Sequence, residues 1–264
     1  METCVPVRFD HGPKHHLAAF RGPPPEPDAR VVVATRKGPR LARVRGGPRP
    51  GRAEVEVLRP ATEEDLSQHR RQTERAVRLK WRLKPYFRKR LPRFKLVAVE
   101  YTLDGRVAFL YLKGERRARL GGEVRELARL AEARVEAVMV GERDEVALLG
   151  AIGACGLETC CSAWLQQFGP TTIRMARDQQ LPLSPEKISG PCGRLLCCIA
   201  YEHPIYQELL AKLPRKNARV CTKEGVCGKV AKHFPLKMEV EIKTPSGGRV
   251  VAPAEELVPW KEEA

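Results

Sequence analysis

The sequence predicts a multidomain α+β protein built around a cysteine-rich module, and three observations predict it. The chain has 264 residues, 42% hydrophobic and 30% charged, which suits an ordinary folded protein of one large or two to three small domains. Short β-branched runs punctuated by Pro and Gly lie at both ends, around a helix–hairpin–helix–strand order in the middle. Between the middle and the C-terminal strands, GACGLETCC at 153–161 is repeated as GPCGRLLCC at 190–198.

Residues 1–60 form the N-terminal β-rich region. HHLAAF and ARVVVATRKGPRLARVRGG read as strands, GPPPEPD reads as a loop, and a small β-barrel is expected. Residues 61–150 form an α+β domain. Its first helix starts near Thr62, which is followed three residues later by Asp65 in a variant of the capping box. The helix is expected to end or kink at Pro85. Val77 and Trp81 lie four apart and share one face, with Trp81 read as core, and Arg71, Arg75, Arg78 and Arg82 fall on an opposing face. FKLVAVEYT and RVAFLYLKG, joined through Leu103-Asp104-Gly105, are a hairpin. GGEVRELARLAEA is an amphipathic helix with Val124, Leu127, Leu130 and Ala131 on one stripe, and RVEAVMVG is a third strand.

Residues 151–214 are the cysteine-rich module, with SAWLQQFG and TTIRMARDQQ as short helical segments and LPLSPEK as a Pro-bounded turn. Residues 215–264 return to strands (ARVCTKEGVCGKV, KMEVEIKT, GRVVAP), the pattern of a small C-terminal β domain, barrel-like with Gly turns.

The chemistry concentrates in the duplicated stretch, which reads G-x-C-G-x-x-x-C-C. Cys155, Cys160 and Cys161 recur 37 positions on as Cys192, Cys197 and Cys198, so six of the nine cysteines sit in two knots. No apolar run suits a membrane helix or a signal-peptide core. The expectation is a cytoplasmic protein whose thiols are kept reduced, where cysteine clusters serve metal or redox chemistry. Thiolates select zinc, copper(I) or iron–sulfur clusters. Six donors make one four-ligand site with two thiols over, or two sites of three that need outside ligands. Cys221 and Cys227 would raise the count to eight, but they fall in a hairpin, where such cysteines are often packed. Structural zinc favours C-x2-C pairs, whereas the spacing here is C-x4-C-C. Gly153, Gly156, Gly190 and Gly193 flank the first cysteine of each knot, as turn residues or to let backbone amides approach sulfur. Inert buried cysteines and a redox-sensing vicinal dithiol are the competing readings.

The net charge of +16 is uneven: residues 70–95 hold 12 Lys/Arg against the single acid Glu74. A field of that sign attracts nucleic acid, although an Arg-rich face is also what a plain solvated helix presents. Phosphate-binding loops, dinucleotide fingerprints, zincin motifs and nucleophile elbows are absent. The histidines are scattered, and Asp144-Glu145 suits helix capping or salt bridges. Nothing marks a catalytic residue, so the chain is expected not to be an enzyme.

GACGLETCC, FGPTTIRMARDQQLPLSPEKISGPCGRLLCC and the Tyr-Glu that follows resemble the YaaT (RicT) stage-zero sporulation family. That family carries a C-terminal region named after a yeast polymerase-suppressor protein. RPATEEDL, VEYTLDGRVAFLYLKGE and VGERDE extend the resemblance over roughly residues 30–250. It implies a regulatory accessory in a complex with two small helical proteins, YlbF and YmcA. It further implies [4Fe–4S] clusters and an effect on mRNA processing by the endoribonuclease RNase Y. The family's cysteines fall on Cys155, Cys160, Cys161, Cys192, Cys197 and Cys198, and a partner supplying ligands fits the six-donor count. This chain departs from the family in Cys221 and Cys227, and in ARLGGEVREL where a more basic-aromatic lead is expected. The reading is an iron–sulfur-binding regulatory protein of RNA processing, with the arginines of the basic helix as RNA contacts. A zinc-stabilised nucleic-acid-binding module acting alone is the alternative, and a thiol redox enzyme fits least, for want of a C-x-x-C motif.

Overall fold

The computed structural model describes residues 2–10, 12, 14–114, 120–165 and 167–260. His11, Gln166 and the segment 115–119, which includes part of ARLGGEVREL, lie outside the described residues. Two compact units emerge: the described residues of Met1–Gln166 together with Pro191–Arg194, and Gln167–Gly190 with Leu195–Ala264.

The first unit opens with strands β1 (Glu2–Phe9), β2 (His15–Ala19), β3 (Arg30–Thr35), β4 (Gly38–Val44), β5 (Arg49–Gly51) and β6 (Val55–Pro60). The order β2-β6-β3-β4-β1 closes on itself because β1 also pairs with β2, giving a five-stranded barrel with β5 added along β1. This is the expected N-terminal barrel. Alternate residues Val5, Val7 and Phe9 of β1 meet Val31, Val33, Ala42, Val44 and Val57 in its interior.

Helix α1 (Glu63–Arg90) follows. Thr62 Oγ1 accepts from Asp65 N–H while Asp65 Oδ2 accepts from Thr62 N–H, a complete capping box. Acids in the first turn and Arg88, Lys89 and Arg90 in the last complement the helix dipole. The helix does not end at Pro85 but runs on to Arg90. Pro85 lacks a donor and crowds the carbonyl four residues back, at a cost of about 3 kcal/mol. Burial of Phe87 and Leu91 beyond it offsets that cost and carries the helix on for another turn.

Strands β7 (Phe94–Tyr101) and β8 (Val107–Gly114) are the expected antiparallel hairpin, and Gly105 takes φ +71° at its turn. Helix α2 (Glu123–Ala131) then crosses to β9 (Arg134–Met139), which runs parallel to β8. Of the expected α2 stripe, Leu127 and Ala131 are buried, Leu130 is partly buried and Val124 is exposed. The sheet is buried on both faces. Val99, Tyr101, Leu110 and Leu112 pack beneath α1 and α2, while Val97, Phe109 and Tyr111 face the other way.

The barrel is tied to that second face by a buried ion pair. Arg40 of β4 donates through Nε to Glu100 Oε1 at 3.1 Å and through Nη2 to Glu100 Oε2. The Tyr111 hydroxyl donates to Glu100 Oε2 at 2.8 Å. The guanidinium lies 3.9 Å from the centre of the Phe9 ring and 4.7 Å from that of Phe109.

Helix α3 (Glu142–Leu149) and the single turn α4 (Cys160–Ala163) complete this unit's helices. Asp144 accepts from Gly141 N–H at 3.1 Å, and Glu145 pairs with Lys95 and Lys113, so both serve the capping and ion-pair roles expected of them.

The second unit holds α5 (Ile173–Asp178), α6 (Pro185–Ile188) and α7 (Cys197–Ala211), joined around Ala176, Ile188 and Ile199. SAWLQQFG forms helix only at its start, in α4, whereas TTIRMARDQQ supplies α5 with Thr172 as its cap. Strands β10 (Arg219–Thr222), β11 (Cys227–Phe234), β12 (Glu239–Lys243), β13 (Arg249–Pro253) and β14 (Leu257–Pro259) form an antiparallel sheet of order β13-β12-β11-β10-β14. The expected C-terminal strands are present, but as an open sheet in which β13 and β14 are edges rather than a barrel.

Acid should loosen the first unit. Burial raises the pKa of Asp10, but hydrogen bonds from His69 at 2.8 Å and Arg30 at 3.0 Å outweigh it and hold the carboxyl at about 2. Arg59 and the Thr62 cap hold Asp65 well below the usual carboxylate range. A carboxyl depressed by folding stabilises the fold above its unfolded value and loses that contribution as pH falls through its folded one. The urea midpoint should therefore drop between about pH 4 and pH 2. Asp10→Asn should remove about 1–2 kcal/mol at neutral pH and flatten that part of the profile.

Candidate functional site

The repeat in sequence is a repeat in backbone. In the first knot Ile152 bridges Glu158, and Thr159 N–H donates to Ala151 O at 2.9 Å. In the second, Ser189 bridges Leu195, and Leu196 N–H donates to Ile188 O at 2.8 Å, the same bond 37 positions on. Gly156 and Gly193 occupy equivalent places with φ +79° and +72°, a left-handed conformation that glycine adopts without steric cost. At Gly153 a Cβ would lie 3.3 Å from Cys155 Sγ, so the missing side chain leaves room for that sulfur. Each knot presents its first cysteine at the loop turn and places its Cys-Cys pair on the first two residues of a helix. These are Cys160-Cys161 on α4 and Cys197-Cys198 on α7.

Cys155 is exposed, Cys160 and Cys192 are half-buried and Cys161 is buried, all four as free thiols. Cys197 and Cys198 are half-buried. Cys192 belongs to the first compact unit with Cys155, Cys160 and Cys161, whereas Cys197 and Cys198 belong to the second. Two arginines, neither singled out by sequence, hold the cysteine loops of the first unit. Arg8 of β1 donates to Ala147 O at 3.0 Å and to Ser162 O, at the ends of α3 and α4. Arg194, beside Cys192, donates to Glu142 at 2.6 Å.

The cysteines lie on short loops with glycine at the turns, and cysteine is the side chain whose thiolate form ligates soft metals. No three His, Cys, Asp or Glu side chains among the described residues are arranged to hold a metal ion. Cys221 and Cys227, cross-strand partners in β10 and β11, are joined in a disulfide. As a disulfide the pair offers no thiolate, which departs from the expectation of reduced cysteines throughout. Three of the described histidines serve elsewhere: His16 meets Glu54 at 2.7 Å, His69 meets Asp10, and His233 meets Pro214 O at 2.8 Å. His203 is buried with Nε2 4.0 Å from Asp178.

The basic helix is rotated from its expected phase. Ala76, Leu79, Leu83 and Phe87 face the core, whereas Trp81 is 65% exposed and Val77 52% exposed. The reading of Trp81 as core is therefore corrected. The apolar stripe that buries is the one in which leucine and phenylalanine recur every four residues. Arg71, Arg78 and Arg82 are exposed. Arg75 is turned inward over the Tyr101 ring at 4.3 Å, and it donates to Ala131 O at 3.0 Å and to Glu132 O at 3.1 Å.

Residues 55–139 match the PSP1 C-terminal conserved region, and residues 170–213 match the third domain of PSP1-like protein. The chain is 37% identical over 131 residues to the stage 0 sporulation protein YaaT of Bacillus subtilis (strain 168), over 50% of this chain and 48% of that protein. The chain is thus similar to PSP1-type proteins and to YaaT over these regions. It spans about half the length of the curated relative it matches. No solved structure matches it significantly. The region that matches PSP1 carries β6, α1, the β7–β8 hairpin, α2 and β9. The third-domain match carries α5, α6, the second knot and α7, and the first knot lies outside both regions. No described helix is long and apolar enough to cross a membrane.

Proposed function

We propose that this chain is an iron–sulfur-binding regulatory protein that acts in RNA processing as an accessory to an endoribonuclease complex, and not as an enzyme. The observation that carries the reading is the duplicated knot. The same loop, the same left-handed glycine and the same helix-start cysteine pair occur twice, a costly pattern for cysteines that merely pack. Cys155, Cys160 and Cys161 offer three thiolates, and Cys192, Cys197 and Cys198 offer three more. Three is one short of the four ligands that a [4Fe–4S] cluster takes, and the disulfide removes Cys221 and Cys227 from the count. A partner therefore completes the ligation on this reading, and family resemblance makes that partner a small helical protein of the YlbF/YmcA type. A bound cluster supplies a redox-responsive centre tuned by its exposure and by backbone N–H groups. The name of the B. subtilis relative supports a link to sporulation-type regulation, and RNase Y is the endoribonuclease the resemblance implies. A cytoplasmic site of action follows from this role.

Metal identity tests the reading. Protein purified without air should be brown and should contain iron and acid-labile sulfide. A colourless protein with stoichiometric zinc would replace the reading with a zinc-stabilised nucleic-acid-binding module.

A further inference from the structure

The solvent face of α1 carries no role in the site above, yet it has the most concentrated charge in the chain. Residues 70, 74, 77, 78, 81, 84 and 88 fall within one arc of about 120° around the helix axis and so share one helix face. On that face Trp81 is exposed at its centre, Val77 lies one turn before it, and Arg70, Arg78, Lys84 and Arg88 surround it, all exposed. Lys84 Nζ sits 4.8 Å from the centre of the Trp81 ring, so a cation already marks the indole's open surface. Among the described residues none of these four cations is held in an ion pair. Glu74, exposed on the same face four residues from both Arg70 and Arg78, is the one acid between residues 70 and 95 and leaves the face strongly cationic. From Arg70 to Arg88 the stripe runs about 27 Å along the helix.

We propose that this face binds single-stranded RNA, with Trp81 stacking on an unpaired base and Arg70, Arg78, Lys84 and Arg88 meeting the backbone phosphates. The inference rests on the RNA-processing reading and names the surface that would carry it. Aromatic platforms set in cationic grooves bind single strands, because every base has a stacking face and every phosphate a charge. A duplex keeps its bases stacked on one another and gives the indole nothing to take up. An acidic protein suits the face less well. Only Val77, Trp81 and Pro85 stand as apolar side chains among the charges, and the cores of protein interfaces are depleted in lysine and acid. The arginines singled out in sequence divide accordingly. Arg78 lies on this face, Arg71 and Arg82 lie at its edge, and Arg75 is committed to Tyr101 and the carbonyls beyond it.

The test is fluorescence anisotropy of the full chain with a labelled RNA of about 15 nucleotides, beside the same RNA as a duplex and a polyglutamate competitor. Wild type should prefer the single strand, with affinity that falls steeply with salt. Trp81→Leu should weaken binding about tenfold without changing the salt slope, and Trp81→Phe should keep most of it. Arg78→Ala with Arg88→Ala should reduce the salt slope by about 1.4. All of these side chains are exposed, and unchanged circular dichroism would confirm folding. Wild-type binding that Trp81→Leu leaves intact would overturn the platform while leaving the RNA-processing reading standing. No RNA binding at all would overturn the proposal and leave the iron–sulfur accessory reading to its own metal test. Tighter binding of polyglutamate than of RNA would assign the face to an acidic protein and overturn the proposal.

Discussion

Glu100→Leu is expected to destabilise the first unit by about 3–5 kcal/mol. Arg40 and Glu100 are both buried, and the guanidinium is clamped between Phe9 and Phe109. Removing the carboxylate leaves a cation with no anion, held where water reaches it poorly, and Tyr111 loses the acceptor of its hydroxyl. The arrangement joins the barrel to the three-stranded sheet, so the loss should appear as one cooperative shift in urea unfolding. The double variant Arg40→Met, Glu100→Leu should recover more than half of it, because replacing both charges by apolar groups removes the desolvation cost on both sides. A single-variant loss below about 1 kcal/mol would show that the pair is solvated in solution.

Leu83→Ala should cost about 2–5 kcal/mol, since the side chain is 0% exposed between α1 and the sheet and its loss opens a cavity. Trp81→Ala, two residues away on the same helix, should change stability by no more than about 0.5 kcal/mol. The contrast reads the rotational phase of α1 directly. A reversed order, with Trp81 costly and Leu83 cheap, would put Trp81 in the core and remove the surface proposed to bind RNA.

Much of the fold is legible in local chemistry. The β-branched runs of residues 1–60 became a closed barrel because alternating valines need a shared interior. Asp104-Gly105 made the hairpin turn, and Thr62 with Asp65 made the cap. The errors arise where tertiary packing outweighs a local rule. Trp81 looked buried because it is large and apolar, yet Leu79, Leu83 and Phe87 had the better spacing and took the core. Pro85 predicts an end or a kink, and the helix does not end there because the turn that follows is buried through Phe87. Helix α7 begins on a cysteine pair and contains Pro204, so it lacks the start and continuity signals by which helices are read. For the candidate site, the repeat showed which six cysteines belong together in type. It could not show that Arg8, remote in sequence, would anchor α4 through backbone carbonyls, because main-chain acceptors leave no trace in side-chain identity. Nor could it show that Cys221 and Cys227 face each other across a ladder, which depends on strand register.

The claim at the centre of this account is that the two knots are ligand sets, and the most direct test is iron and acid-labile sulfide per chain. It should be measured on anaerobically reconstituted wild type and on Cys155→Ser, Cys197→Ser and Cys4→Ser. Serine is a poor ligand for soft metals, so the first two should lose much of their iron and sulfide, whereas Cys4→Ser, buried in the barrel strand β1, should bind as wild type does. Unchanged iron and sulfide in both knot variants would contradict the claim and leave the duplicated cysteines without a metal to hold.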